Sequence, residues 1–316
     1  MDGKPTRKWV GDRPLAQPAE DLEDQGLGFD IGTLLERRKV LSAMGLGALG
    51  LGLAACTPQS SPSNGTSSNA ASDTLAEIPD ETAGPYPGDG SNGPDVLEES
   101  GIIRRDITSS FGDAHGTAAG VPMTLELNVL DLTNSGAGFA SVAVYVWHCD
   151  AQGRYSMYTQ GVEDENFLRG VQLADADGKV SFTSIVPACY TGRWPHIHFE
   201  VYPDRDSIDD AGNAIATSQV ALPKNMCDAV YATDGYESSV ANLASLSLDT
   251  DNVFGDDSGA RQLATVTGDV RNGYTVALTV PVDTRTTPSG GAGPAGRGPG
   301  NAPPTGSRPS AAPAAP

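Results

Sequence analysis

Histidine is scarce in this chain, four in 316 residues, and two of the four stand one residue apart as His196 and His198. They lie in Pro-His-Ile-His-Phe-Glu-Val (195–201), where polar and apolar residues alternate as on a β-strand. His196, His198 and Glu200 then share one face, and Ile197, Phe199 and Val201 the other. At a rise of ~3.3 Å per residue the two histidine backbones are roughly 6.6 Å apart, a separation from which both imidazoles reach one metal ion. On a helix the same spacing sends them to nearly opposite sides. A polar strand face without any metal has the same pattern; what speaks for chemistry is the company, Tyr190 and Arg193 in the loop just ahead. Glu200 as the carboxylate of a two-histidine ferrous site is disfavoured, because on the same strand it starts ~13 Å from His196.

Tyr190, Arg193 and the Pro-His-Ile-His-Phe run resemble the signature of the intradiol ring-cleavage dioxygenases, the catechol and protocatechuate dioxygenase family. The resemblance extends upstream to Val-Trp-His-Cys-Asp-Ala-Gln-Gly-Arg-Tyr (146–155), Phe-Leu-Arg-Gly-Val-Gln (167–172) and the stretch 175–187. Downstream it takes in Thr-Ser-Gln (217–219) and Asp-Ala-Val-Tyr (228–231). It implies a ferric iron, Fe(3+), held by Tyr155, Tyr190, His196 and His198, with Tyr190 as the tyrosinate that substrate displaces. It also implies Arg193 as the charge that stabilises anionic substrate, and Gln219 as a supporting hydrogen-bonding residue. The implied substrates are a small aromatic ortho-diol and O2, and the product a cis,cis-muconate-type diacid. Phenolate is a hard anionic donor suited to Fe(III), and tyrosine, with a solution pKa of ~10, ionises at neutral pH only beside a strong Lewis acid. Tyr158, three residues after Tyr155, is the rival for that position. Thr82-Ala83-Gly84-Pro85-Tyr86 resembles the family's amino-terminal Thr-x-Gly-Pro segment and is expected near the substrate mouth or, equally, to be a plain turn. The loop from Tyr190 to His196 is shorter than in the family's cytoplasmic members, and Cys189 replaces a glycine or aromatic, which leaves substrate identity open. A non-catalytic β-sandwich that binds aromatic ligands or another metal is the alternative function.

The elements that must position these residues are mostly strands. Residues 123–132 and 141–147 alternate cleanly, with Leu125, Leu127 and Val129, and Val142, Val144 and Val146, each on one side. Residues 171–173 and 179–185 flank Asp175-Ala176-Asp177-Gly178 and are expected to pair as a hairpin, as are 263–267 and 274–280 around Asn272-Gly273. The helical candidate is 226–248, interrupted at Asp234-Gly235. Short strands between Gly, Pro, Asp and Asn predict an all-β fold, a β-sandwich core of the intradiol type with long loops and little helix. His148 reads as a structural residue and His115 as exposed.

Domain limits follow from composition. Arg37-Arg38-Lys39 precedes a 16-residue, glycine-rich apolar run that ends at Leu53-Ala54-Ala55-Cys56. That is short for a membrane span of ~20 residues. It resembles a twin-arginine and lipoprotein export signal, so 1–55 is expected to be the signal, with a lipid anchor at Cys56 on the extracytoplasmic face. Residues 56–76, rich in Ser and Asn, read as a tether, 77–284 as the dioxygenase-like domain, and 285–316 as a Pro/Gly/Ala-rich disordered tail. The formal net charge of −20 opposes binding to nucleic acid or to an anionic membrane surface. Assembly as a homo-oligomer is compatible with such a domain. With Cys56 assigned to lipid, Cys149, Cys189 and Cys227 remain, and a Cys189–Cys227 disulfide bracing the Tyr190 loop is the favoured pairing.

Overall fold

The computed structural model describes residues 75–288, together with the backbone of a short antiparallel pair, β1 (Trp9–Val10) and β2 (Arg13–Pro14). Apart from those four residues, the expected export signal (1–55), Cys56, the expected tether before residue 75 and the expected tail beyond residue 288 lie outside the described residues. Two sheets carry the domain. The first is built on β3 (Pro122–Asp131), flanked on one side by β11 (Gly273–Val282) and then β10 (Thr265–Asp269). On the other side of β3 lie β7 (Lys179–Ile185) and the two-residue β4 (Ala137–Gly138). The second sheet runs β6 (Arg169–Leu173), β5 (Ala143–Trp147), β8 (His196–Tyr202), β9 (Ala216–Ala221), antiparallel throughout.

Alternation along each strand builds the sandwich. Met123, Leu125, Leu127 and Val129 of β3 meet Val144 and Val146 of β5 and Ile197, Phe199 and Val201 of β8 in one buried cluster. Each such side chain contributes about 1.5–3 kcal/mol by leaving water. The opposite face of the second sheet is also covered. There Ala143, Tyr145, Trp147 and Tyr202 pack with Ala83, Val96, Leu97 and Ile102 of the amino-terminal segment. Every residue of β8 is therefore buried, and its polar face lies beneath a layer of chain where periodicity alone suggested a solvated side. Two short helices, α1 (Lys224–Tyr231) and α2 (Glu237–Ala244), separate at the expected Asp234-Gly235 break. Among the described residues no helix is long and apolar enough to cross a membrane.

One expected hairpin is corrected. The turn 175–178 is present, with Gly178 N–H donating to Asp175 O and the Asp175 side chain accepting from Asp177 N–H and Lys179 N–H. Its flanking strands do not pair with each other: β6 joins β5 in one sheet, and β7 joins β3 in the other. Gly178 explains the handover. Its carbonyl accepts Val129 N–H of β3 at 2.8 Å, and any Cβ there would fall on the Val129 carbonyl, at a φ of +81°. The turn is thus docked on β3 and steers the chain across the sandwich. The hairpin β10–β11 forms as expected, closing with Asp269 opposite Gly273.

Candidate metal centre

The site lies on the outer face of the second sheet. His196 and His198 stand on β8, and the sheet register sets Trp147 of β5 and Gln219 of β9 on either side of His198. The Trp147 ring stacks on the His198 ring, 4.9 Å apart and within 6° of parallel, which fixes the imidazole plane. His196 Nδ1–H donates to Trp194 O at 2.6 Å, so its Nε2 presents a lone pair.

Two loops bring the phenols. Before Tyr155, the buried Asp150 carboxylate accepts Gln152 N–H and Arg154 N–H and pairs with the Arg154 guanidinium at 2.7 Å, curling the chain so that Tyr155 turns inward, 2% exposed. Tyr158 faces elsewhere: its hydroxyl donates to Asn92 and accepts Gly88 N–H. Tyr190 sits half-buried on a loop held by α2, where Ser239 Oγ accepts Cys189 N–H and Asn242 Nδ2 donates to Cys189 O. The bracing expected of a Cys189–Cys227 disulfide is done by these two hydrogen bonds. Cys149, Cys189 and Cys227 are all buried free thiols, and burial raises the Cys189 and Cys227 pKa to about 12.

Four polar atoms converge in a row. Tyr155 Oη is 3.5 Å from Tyr190 Oη, Tyr190 Oη is 3.2 Å from His196 Nε2, and His196 Nε2 is 3.1 Å from His198 Nε2. Ligand atoms ~2.0–2.1 Å from a shared metal ion are ~2.9–3.4 Å apart, so the spacing suits one cation. The protonation states suit it as well. Burial, then Arg193, holds His196 neutral, and burial, then His196, does the same for His198. Burial pushes Tyr190 up to about 12 against the pull of Arg193, and burial plus Tyr190 raises Tyr155 well above the phenol range. Neither phenol ionises near neutral pH without a cation to compensate it. Among the described residues no three His, Cys, Asp or Glu side chains gather as a metal site, so any centre here depends on its phenols. Glu200 is engaged elsewhere, accepting the Tyr202 hydroxyl at 2.7 Å.

Around this row stand the residues expected to act on substrate, and one that sequence reasoning missed. Arg193 Nη2–H donates to Gln219 Oε1 at 2.6 Å, Gln219 Nε2–H donates to Thr82 O at 2.9 Å, and Arg193 Nε–H donates to the buried Asp251 carboxylate at 3.1 Å. Nothing in the local sequence marks Asp251, which acts across 58 residues of chain. The Thr82–Tyr86 segment does lie beside the site. Gly84, at φ +73°, is so close that a Cβ would come 3.3 Å from His198 Cε1, and the Tyr86 ring packs 4.9 Å from that of Tyr155. Arg169, also without an assigned role beforehand, is 1% exposed and secures this segment by donating to Tyr86 O and Pro87 O. His148 is structural, bonded to Ser184 Oγ and Cys149 O, and His115 is exposed.

Comparison with known proteins agrees with this geometry. The two-sheet sandwich is the fold of ring-cleavage dioxygenases: it matches an intradiol ring-cleavage dioxygenase from Tetranychus urticae with a TM-score of 0.53 at 22% identity, over 66% of this chain and 96% of that one. A sequence model of the family described as Dioxygenase matches residues 92–202, the span that holds Tyr155, Tyr190, His196 and His198. The chain is also 28% identical over 133 residues to a chlorocatechol 1,2-dioxygenase of Pseudomonas sp. (strain P51), over 35% of this chain and 49% of that protein. It spans about half the length of that curated relative. The chain thus resembles the intradiol ring-cleavage dioxygenases in the sequence of residues 92–202 and in its fold.

Proposed function

We propose that the protein is an exported, ferric iron-dependent intradiol dioxygenase that opens catechol-type diols between their two hydroxylated carbons. The observation that carries this reading is the convergence of Tyr155, Tyr190, His196 and His198, two neutral imidazoles and two phenols that need a cation to ionise. Ferric iron, when bound, supplies that positive charge and the Lewis acidity that opens an electron-rich ring to dioxygen.

The chain's own residues do the rest. Tyr190 is less buried than Tyr155, and its raised pKa makes it a strong base once freed, able to take a hydroxyl proton from an incoming diol. Arg193, whose charge is reinforced by Tyr190 and Asp251 against the effect of burial, faces the negative charge that develops on the substrate. Trp147 and the Trp194 carbonyl hold the imidazole planes. The reaction balances without further reductant. The carbon–carbon bond breaks, the two carbons give up four electrons to O2, and both oxygen atoms end in the two carboxyl groups of a muconate-type product. Export and a lipid anchor at Cys56 are supported by the charge and apolar pattern of residues 37–56.

Iron loading of the purified protein is the test. The loaded protein is expected to be burgundy from phenolate-to-iron charge transfer and to consume one O2 per catechol with the rise of muconate absorbance. A protein that stays colourless after loading and takes up no oxygen with catechol overturns the reading in favour of a binding module.

A further inference from the structure

We infer that Asp251 is a positioning residue: it locks the Arg193 guanidinium in one orientation and leaves a single amino group of that side chain for the substrate. The inference rests on the reading of the centre proposed above. Asp251 is 3% exposed and both of its carboxylate oxygens are taken. Oδ1 accepts Val253 N–H at 2.8 Å and Phe254 N–H at 3.0 Å, which ties the carboxylate to its own loop. Oδ2 accepts Arg193 Nε–H at 3.1 Å and Trp194 N–H at 2.6 Å, which ties the active-site loop to that anchor.

The geometry at the other end is equally constrained. Gln219 donates through Nε2 to Thr82 O, so its Oε1 is the atom offered to Arg193 Nη2. Phe254 lies 5.9 Å from the guanidinium carbon. With Nε and Nη2 both engaged, Nη1 is the nitrogen of Arg193 that makes no hydrogen bond among the described residues. A free arginine side chain samples many rotamers, and a guanidinium beside two phenols has competing partners. Asp251 removes both problems before substrate arrives, because its charge and its two aligned acceptor directions are buried and fixed. It also reaches the ligand set indirectly, since the backbone of Trp194 donates to Asp251 and accepts from His196 Nδ1–H.

Asp251→Asn isolates the effect. It keeps an acceptor for Val253 and Phe254 but turns an NH2 group toward two donors. The full chain is compared with Asp251→Asn, Asp251→Glu, Arg193→Gln and the double variant Asp251→Asn/Arg193→Gln. In the metal-free protein, phenylglyoxal modification of Arg193, followed by peptide mapping, is expected to run about tenfold faster in Asp251→Asn than in the natural sequence, because the guanidinium is released. In the iron-loaded protein the charge-transfer band persists, while kcat/KM for catechol falls by about 10–100-fold. Asp251→Glu regains part of that loss, and in the Arg193→Gln background Asp251→Asn lowers kcat/KM by no more than about twofold, the non-additivity of a residue that acts through another. An unchanged Arg193 modification rate, or losses that simply add in the double variant, overturn the inference. If the natural chain neither colours nor turns over, it is the reading of the centre that fails, and the modification rate still decides whether Asp251 holds Arg193.

Discussion

At the scale of single residues the site separates into groups visible in the sequence and groups visible only once the chain is folded. His196 and His198 announce themselves by period and scarcity, and Tyr190 and Arg193 by standing within a few residues of them. Tyr155 needed the family resemblance, because Tyr158 offers the same chemistry three residues on. The fold sets them apart: Tyr158 spends its hydroxyl on Asn92 and Gly88, whereas Tyr155 Oη stands 3.5 Å from Tyr190 Oη. Tyr158→Phe is therefore expected to leave the charge-transfer colour of the iron-loaded protein intact and to lower stability by about 1 kcal/mol, the net worth of its hydrogen bonds. Tyr155→Phe is expected to abolish or strongly shift the band. Visible spectra and thermal melts of the two variants check this, and an unaltered spectrum in Tyr155→Phe removes it from the ligand set. Asp251 and Arg169 were illegible for a common reason. Their partners are backbone groups and side chains brought from distant segments, with no local spacing to betray them.

At the scale of elements, strand periodicity located β3, β5, β8 and the β10–β11 hairpin, because alternation reports which face meets a core. It could not report that the polar face of β8 is covered, nor that the turn at 175–178 passes the chain between sheets. Both depend on what docks from elsewhere, the amino-terminal segment in one case and the β3 backbone in the other. That segment also carries an electrostatic consequence. Burial raises the Glu81 carboxyl from 4.5 to about 7, with Asp256 and Asp257 adding to the rise while Gln262 and Arg193 oppose it. The folded protein therefore binds this proton more tightly than the unfolded chain does. Its contribution to stability is present in full below pH 4.5 and is lost as the pH rises through about 7. Allowing for solvent screening of a carboxyl that is not fully buried, the change is of the order of 1 kcal/mol. Glu81→Gln is expected to flatten this slope, so that the variant loses less stability than the natural chain between acidic and neutral pH. Melting temperatures of both proteins measured across that window check it, and parallel curves refute it.

At the scale of the whole molecule, the sandwich and the layer over its second sheet are one structure, because the amino-terminal segment is bonded into both. Ile78 N–H donates to Pro281 O of β11, Glu81 N–H to Thr217 O of β9, and Glu77 accepts from both Arg261 and Thr286. Further along, the five N–H groups of the buried Arg169 are met by Tyr86 O, Pro87 O, Ser156 and the Tyr145 hydroxyl, so much of what neutralises that cation belongs to the segment. Two truncations separate the domain from its flanks. A chain of residues 75–288 keeps every one of these bonds and is expected to melt within about 2 °C of the full chain and to take up iron with the same colour. A chain of residues 88–288 strips Tyr86 and Pro87 from Arg169 and removes Ala83 and Gly84 from over the second sheet, while Val96, Leu97 and Ile102 stay in place. Arg169 keeps its bonds to Ser156 and Tyr145 but loses two of its five acceptors, at about 1–3 kcal/mol for each buried donor left unmet, a large share of the stability of a domain, so this shorter chain is expected to be largely unfolded or to lose the colour on loading. Circular dichroism melts and visible spectra distinguish the outcomes. A fully stable, coloured 88–288 fragment shows that the segment merely lies on the sheet, and an unstable 75–288 fragment shows that the domain extends beyond the limits its hydrogen bonds define.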